Sequence, residues 1–299
     1  MSDGKLIYDW NQRRRDSLLG ATPITVVDET LRDGVQSPSV EDPSLDNKKA
    51  LVCGSSQGIG LASAQQLAKL GAQVTLCARN EADLDAALET LPGSGHSRIV
   101  ADFDQPDQLE SVVNSHISEH GSFQILINNS GGPAGGPLFA ADSDQFLVAM
   151  QRHLVCNHRL VQALVPGMKE SGYGRIVNII STSVREPIAG LGVSNTTRGA
   201  VASWAKTLSK ELGPAAITIN SVLPGFTDTA RLTQLMAKRA ETQGTTPEQV
   251  KESWIQSIPL ARLARAEEIG SAVAFLCSPA AAYITGVCLP VDGGRLNVI

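Results

Sequence analysis

Short apolar runs alternate with stretches of helical periodicity along most of this chain. Residues 48–54, 73–78, 98–101, 124–128, 174–181, 217–223 and 287–291 are rich in Val, Ile, Leu and Cys, the length and content of buried strands. Between them apolar residues recur at helical spacing. Ile59, Ala62, Ala64, Leu67 and Leu70 mark one face of a helix over 58–70 that Gly71 ends. Further helices are predicted over 81–91, 105–119, 144–170, 197–212 and 267–277, with polar helical segments between 224 and 256. Strands alternating with helices predict an α/β fold, a doubly wound Rossmann-type parallel sheet of seven strands. No composition break follows Asn47, so residues 47–299 read as one domain, without an internal repeat.

The first strand runs into Gly54-Ser-Ser-Gln-Gly-Ile-Gly60. Glycines suit a sharp strand-to-helix turn, which favours positive φ. They also let a phosphate approach the backbone at the positive end of a helix. The spacing differs from the Gly-x-Gly-x-x-Gly dinucleotide fingerprint. A ligand cradle and a purely structural turn therefore both stand at this point. Gly54, Ser56, Gln57, Gly58, Ile59 and Gly60 are the candidate cofactor contacts here.

Composition narrows the classes. Hydrophobic residues make up 42% and charged residues 18% of the 299, as in an ordinary soluble globular protein. A net charge of −5 argues against nucleic acid as a partner, which needs a basic face. Arg13-Arg14-Arg15 beside Asp16 reads as a solvated helix face. The five cysteines (Cys53, Cys77, Cys156, Cys277, Cys288) form no C-x-x-C pair, and no metal site is expected. An odd count without pairing spacing suits a reducing compartment. With no apolar leader and no run near the ~18 apolar residues of a membrane span, a cytoplasmic protein is expected, with no membrane partner.

In a doubly wound sheet the ligand lies beyond the carboxyl ends of the strands. After the second strand comes Ala78-Arg79-Asn80, with no carboxylate for a ribose 2′-hydroxyl. Arg79 can pair with a 2′-phosphate, which favours NADP over NAD; the alternative is an exposed arginine starting a helix. Asp102, with Phe103 beside it, can meet an adenine amino group or cap the next helix. Asn128-Asn-Ser-Gly-Gly-Pro-Ala-Gly-Gly136 is either backbone pressed against a ligand or a flexible loop.

Residues 1–46 stand outside this alternation. Residues 8–19 suit a short helix and 23–28 a strand. Asp28-Glu-Thr-Leu-Arg-Asp-Gly-Val-Gln36 resembles the opening motif of isopropylmalate and homocitrate synthase-type TIM barrels. That resemblance implies metal binding and aldol chemistry at Arg32 and Asp33. The histidines (His96, His116, His120, His153, His158) form no His-x-His pair, and a single βα unit cannot close a barrel. The segment reads as a transplanted arm, packing on the domain or on a neighbouring subunit.

Five motifs over residues 47–299 together resemble the short-chain dehydrogenase/reductase family. They are Gly54 to Gly60 as cofactor turn and Asn128-Asn-Ser-Gly131 for its Asn-Asn-Ala-Gly. Gly174-Arg-Ile-Val-Asn-Ile-Ile-Ser181 leads to its catalytic serine, Pro224-Gly225 to Thr229 is its nicotinamide segment, and Val291-Asp-Gly-Gly294 is its last strand. The resemblance implies strand order 3-2-1-4-5-6-7, usually a homotetramer, and cofactor contacts at Asn129, Ser130, Gly131, Pro224, Gly225 and Thr229. It also implies a Tyr-x-x-x-Lys motif after the serine. Counting from Ser181 reaches Ser194-Asn-Thr-Thr-Arg198 instead, and the family's supporting asparagine falls on His153.

A serine hydroxyl is a far weaker acid than phenol. Arg198 can hold a ribose or an oxyanion but does not give up its proton. Hydride transfer itself needs only positioning and electrostatics from the protein. The expectation is an NADP(H)-dependent oxidoreductase on a carbonyl or alcohol of a small or lipid-like, 3-oxoacyl-like molecule. Ser181, Ser194 and Arg198 form its site with His153, and water supplies the proton; His153 either titrates near neutrality and feeds that water or, the better-supported reading, is structural. Apolar Leu232, Leu235, Met236, Val250 and Trp254 are either a substrate lid or ordinary packing. The competing expectation is a non-catalytic dinucleotide-binding scaffold.

Overall fold

The structure, a computed structural model, describes residues 44–298. Residues 1–43, with Arg32 and Asp33 of the predicted arm, lie outside the described residues. Leu45 is already fully buried in the domain and its N–H donates to Leu70 O at 2.6 Å, so the packed domain starts just before Asn47.

The seven strands are β1 (Lys49–Cys53), β2 (Gln73–Ala78), β3 (Ser97–Val100), β4 (Ile125–Asn128), β5 (Gly174–Ile179), β6 (Ile217–Pro224) and β7 (Cys288–Val291). They pair in parallel in the order β3-β2-β1-β4-β5-β6-β7. This is the doubly wound topology expected, with its order reversal between β1 and β4. Parallel strands need covering on both faces, and the sequence supplies it by alternation. Ala50, Val52, Ile125, Ile127, Val177 and Ile179 point into one core layer. Leu51, Cys53, Leu126, Ile176 and Ile219 point into the other. Each fully buried Leu or Ile contributes about 1.5–3 kcal/mol.

The first layer is closed by α1 (Gly58–Lys69) and α9 (Ala266–Cys277). These helices pack so closely that a Cβ on Gly270 would sit 2.8 Å from Ala62 O. The opposite layer is closed by α3 (Pro106–His120), α5 (Cys156–Glu170) and α6 (Gly192–Leu212). Between β2 and β3 lies α2 (Glu81–Leu88), whose N-terminus Asn80 caps by accepting from Ala82 N and Asp83 N. Four of the five thiols are buried. Cys53, Cys77 and Cys156 lie in the layer with α3, α5 and α6, and Cys277 lies in the other. Burial pushes Cys156 and Cys277 up to about 12.

Two helices differ from expectation. The predicted helix over 144–170 is α4 (Ser143–Met150), a π-helical turn (Gln151–Val155) and then α5. The turn is docked by Gln151 Nε2, which donates to Asp104 O at 2.8 Å, and by an Arg152–Asp104 ion pair. The helix predicted from 197 begins at Gly192. Val193 is buried there, and the Thr197 hydroxyl donates to Val193 O at 2.9 Å. The segment after β6 is α7 (Ala230–Gln243), capped by Thr229, and α8 (Pro247–Gln256), opened by a Thr246–Gln249 capping box. Leu232, Met236, Val250 and Trp254 are buried together, with Phe226 stacked on Trp254 at 4.5 Å. They are packing residues. Only Leu232 and Leu235 of the predicted lid also line a cleft. Among the described residues no helix is long and apolar enough to cross a membrane.

Candidate active site

A cleft of about 530 Å³ opens beyond the carboxyl ends of the strands, where the sheet order reverses. Its floor is the turn from β1 to α1. Gly54 and Gly58 take φ of 56° and 58°, left-handed values that favour glycine. Ser55 points inward, its hydroxyl donating to Val52 O and accepting from Cys77 N, while Ser56, Gln57 and Ile59 line the cleft. Gly60 does not line it. Its role is closeness, since a Cβ there would stand 2.1 Å from Gly54 O. Asn129 locks the turn from outside by donating to Cys53 O and Gly54 O at 3.3 and 3.0 Å. Among the described residues the N-cap Gln57 makes no side-chain cap of α1, which leaves first-turn N–H groups for a ligand anion.

The rim beside β2 and β3 carries Arg79, Asp102 and Phe103. Arg79 is exposed, while its neighbour Asn80 is committed to capping α2. Asp102 Oδ1 accepts from Asp104 N at 3.0 Å within its own turn. It does not cap α3, which begins behind Gln105, so the capping alternative falls. Phe103 is mostly core. Across the cleft stand Ser130, Gly131, Pro224, Gly225 and Thr229. Gly225 is forced by Asp292, whose Cα would lie 2.7 Å from a Cβ there.

At the end of β5 the chain turns at Ser181, whose Oγ accepts from Ser183 N at 3.0 Å. Ser194 and Arg198 are four residues apart on α6 and therefore share a face. All three line the cleft. Arg198 is buried and its Nη1 donates to Ile179 O at 2.8 Å. Burial and the nearby Arg231 charge bring Arg198 down to about 10, so it remains a cation at neutral pH.

His153 does not join them. It is 2% exposed, lies in the π-helical turn, and shares a 2.6 Å hydrogen bond between Nδ1 and Ser130 Oγ. Its Nε2 is buried without a partner among the described residues. It borders a separate cavity of about 270 Å³ behind Pro133. Burial, then the Arg198 and Arg152 charges, push it down to about 2, so of the two alternatives its surroundings favour the neutral, structural histidine. Its effect is on stability. Below its ordinary value of 6.5 the unfolded chain takes up a proton that the folded chain refuses. Stability is therefore full above pH 6.5 and falls by about 1.4 kcal/mol per pH unit below it. His153→Asn is expected to remove this slope, measured as urea midpoints from pH 7 to 4.

Two cleft arginines were not singled out from the sequence. Arg152, paired with Asp104, lines the side wall, and Arg231 stands at the start of α7, its Nη2 donating to Pro133 O at 2.7 Å. Arg231 follows shortly after Thr229, a signal that was available. Among the described residues no cluster of His, Cys, Asp and Glu is arranged to hold a metal.

Comparisons with known proteins converge on one family. A family model described as enoyl-(acyl carrier protein) reductase matches residues 54–295. The chain is 35% identical over 254 residues to 3-oxoacyl-(acyl-carrier-protein) reductase FabG of Pseudomonas aeruginosa, covering 84% of this chain and 98% of that one. Among solved structures it is similar to L-sorbose reductase from Gluconobacter frateurii in complex with NADPH and L-sorbose. That match has 30% identity and a TM-score of 0.81, over 87% of this chain and 100% of the other. It is also similar to an NADPH-dependent reductase involved in bacilysin biosynthesis, at 27% identity and a TM-score of 0.80, over 84% and 99% of the two chains.

Proposed function

The chain belongs to the short-chain dehydrogenase/reductase family, and from that premise we propose that it is an NADP(H)-dependent oxidoreductase that reduces a carbonyl group at a non-standard active site. The observation that carries this reading is that Ser181, Ser194 and Arg198 face the same cleft as the uncapped start of α1. The residues fit the cofactor. The turn from Gly54 to Gly60 has no room for side chains at Gly54 and Gly60. The exposed Arg79 stands where a 2′-phosphate is read. Gly54, Ser56, Gln57, Gly58 and Ile59 would hold the diphosphate, Asp102 and Phe103 the adenine end, and Asn129, Ser130, Gly131, Pro224, Gly225 and Thr229 the nicotinamide half. Bound NADPH supplies a hydride.

The chain's own part is orientation and charge. The Ser181 and Ser194 hydroxyls donate to the carbonyl oxygen, and the Arg198 cation stabilises the alkoxide that forms there. Arg198 holds its proton, so water protonates the oxygen. Absence of a positioned phenol lowers the rate ~10²–10⁴-fold against a site that has one. The substrate includes small ketones and 3-oxoacyl-like molecules. The exposed apolar residues Leu147, Val148 and Val155 support a homo-oligomer, a tetramer as the family implies. The arm would lie at a subunit interface, which light scattering of the chain with and without residues 1–43, a truncation that spares the buried Leu45, tests.

Single-turnover oxidation of NADPH against a panel of ketones and 3-oxoacyl thioesters is expected to be slow and measurable. Tight NADPH binding with silence across the panel would establish the scaffold reading in its place. Failure to bind any dinucleotide would end both.

A further inference from the structure

Two guanidinium groups approach each other beside the 130–133 loop, and among the described residues neither is ion-paired with a carboxylate. Arg198 comes from α6 and Arg231 from the first turn of α7. A Cβ built on Gly132 would stand 3.6 Å from Arg198 Nη2 and 3.7 Å from Arg231 Nη2, so both cations border one point in the cleft. Their recorded protein partners are backbone carbonyls, Ile179 O for Arg198 and Pro133 O for Arg231. The contrast with other arginines is direct, since Arg98, Arg152, Arg159 and Arg262 each face a carboxylate.

Such a pair is unfavourable by itself. Arg198 is buried, and a buried charge without a counter-ion is costly. Its neighbour makes this worse, and the strain shows in the lowering of both groups, by burial and, for Arg198, by Arg231. An anion placed between them removes the penalty. The phosphates of a dinucleotide already have places, at Arg79 and at the start of α1. The guanidiniums belong instead to the reacting end, beside Ser181 and Ser194. Their planar forks match a carboxylate in bidentate fashion.

We propose that the substrate of this site is an oxo acid, its carboxylate held by Arg231 with Arg198 and its carbonyl by Ser181 and Ser194. This rests on the oxidoreductase reading and narrows it. The carbonyl carbon gains a hydride and its oxygen a proton from water, giving a hydroxy acid with oxidation of NADPH. Arg231 is a specificity residue. It stands exposed at the mouth of the cleft, so its replacement leaves the core untouched.

Calorimetric titration of the NADPH-loaded protein with malonate, malonamide and inorganic phosphate tests this. Malonate is expected to bind with an affinity that falls with salt, and neutral malonamide is expected to bind at least tenfold more weakly. Arg231→Met is expected to weaken malonate at least tenfold, and Arg231→Lys less, while NADPH affinity shifts less than twofold. In turnover, 3-oxobutanoate is expected to exceed its methyl ester in kcat/KM by at least tenfold. Equal binding of malonate and malonamide, or an unchanged malonate affinity in Arg231→Met, would overturn the proposal. So would a parallel loss of NADPH affinity, which would give Arg231 to the cofactor, or tighter binding of phosphate than of malonate. If the wild-type protein binds no NADPH, the oxidoreductase reading fails separately. Malonate titration of the free chain then still judges the clamp by the same criteria.

Discussion

Replacing Arg198 by methionine is expected to lower kcat for carbonyl reduction about 10²–10³-fold, the range found when an oxyanion-stabilising donor is removed. The argument is electrostatic. Arg198 is the buried cation on the face of α6 that also presents Ser194, and charge develops on the substrate oxygen only as hydride arrives. Methionine fills similar volume without charge. The variant leaves Ile179 O without its 2.8 Å donor, a loss of about 1–3 kcal/mol, partly offset because a buried charge is no longer desolvated. Arg198→Lys keeps the charge and is expected to fall less. The measurement is single-turnover NADPH oxidation on protein whose urea midpoint has been checked. A folded Arg198→Met variant with unchanged kcat would remove Arg198 from the chemistry.

Gly60→Ala is expected to be the most damaging of the small substitutions in the cofactor turn. Its new Cβ would lie 2.1 Å from Gly54 O, 2.7 Å from Gly54 C and 2.8 Å from Asn129 Nδ2. Two of these atoms are backbone, and the third is held by its own hydrogen bonds to Cys53 O and Gly54 O. Alanine favours a helix over glycine by about 1 kcal/mol, but overpacking typically costs about 1–3 kcal/mol and here meets backbone. The clash wins. Loss of stability is expected by urea titration, together with NADPH binding at least tenfold weaker because the turn must widen. Gly131→Ala is the control. Among the described residues nothing lies within 4 Å of a Cβ at Gly131, so a shift within about 0.5 kcal/mol is expected.

The sheet was legible because each strand is a short apolar run followed by a helical pattern, and because the motifs at the strand ends came in family order. The start of α6 was not. Gly192-Val-Ser-Asn-Thr-Thr has little helix propensity, and it is helical because Val193 is buried and the Thr197 hydroxyl bonds back to Val193 O. The π-helical turn was equally hidden, since its cause is the docking of Gln151 and Arg152 on Asp104, a contact between distant parts of the chain. His153 could be placed in sequence but not in protonation, which burial and neighbouring arginines decide. Arg231 was overlooked for another reason. The apolar spacing of Leu232, Leu235 and Met236 reads as lid or packing, and nothing in the sequence places the preceding Arg231 beside Arg198 on another helix. The roles of Arg32 and Asp33 lie outside the described residues.

The buried sulfurs turn the protein into its own chemical clock. Cys53, Cys77 and Cys156 lie in the core layer that α3, α5 and α6 close, Cys277 ends α9 in the opposite layer, and only Cys288 is partly accessible. Thiolate, not thiol, attacks a labelling reagent, and burial holds Cys156 and Cys277 far from ionising. A disulfide reagent therefore consumes Cys288 first, and each further sulfur only as its side of the sheet opens. Peptide mapping of the labelled sites then times the two faces of the sheet separately, without introducing any probe into the chain.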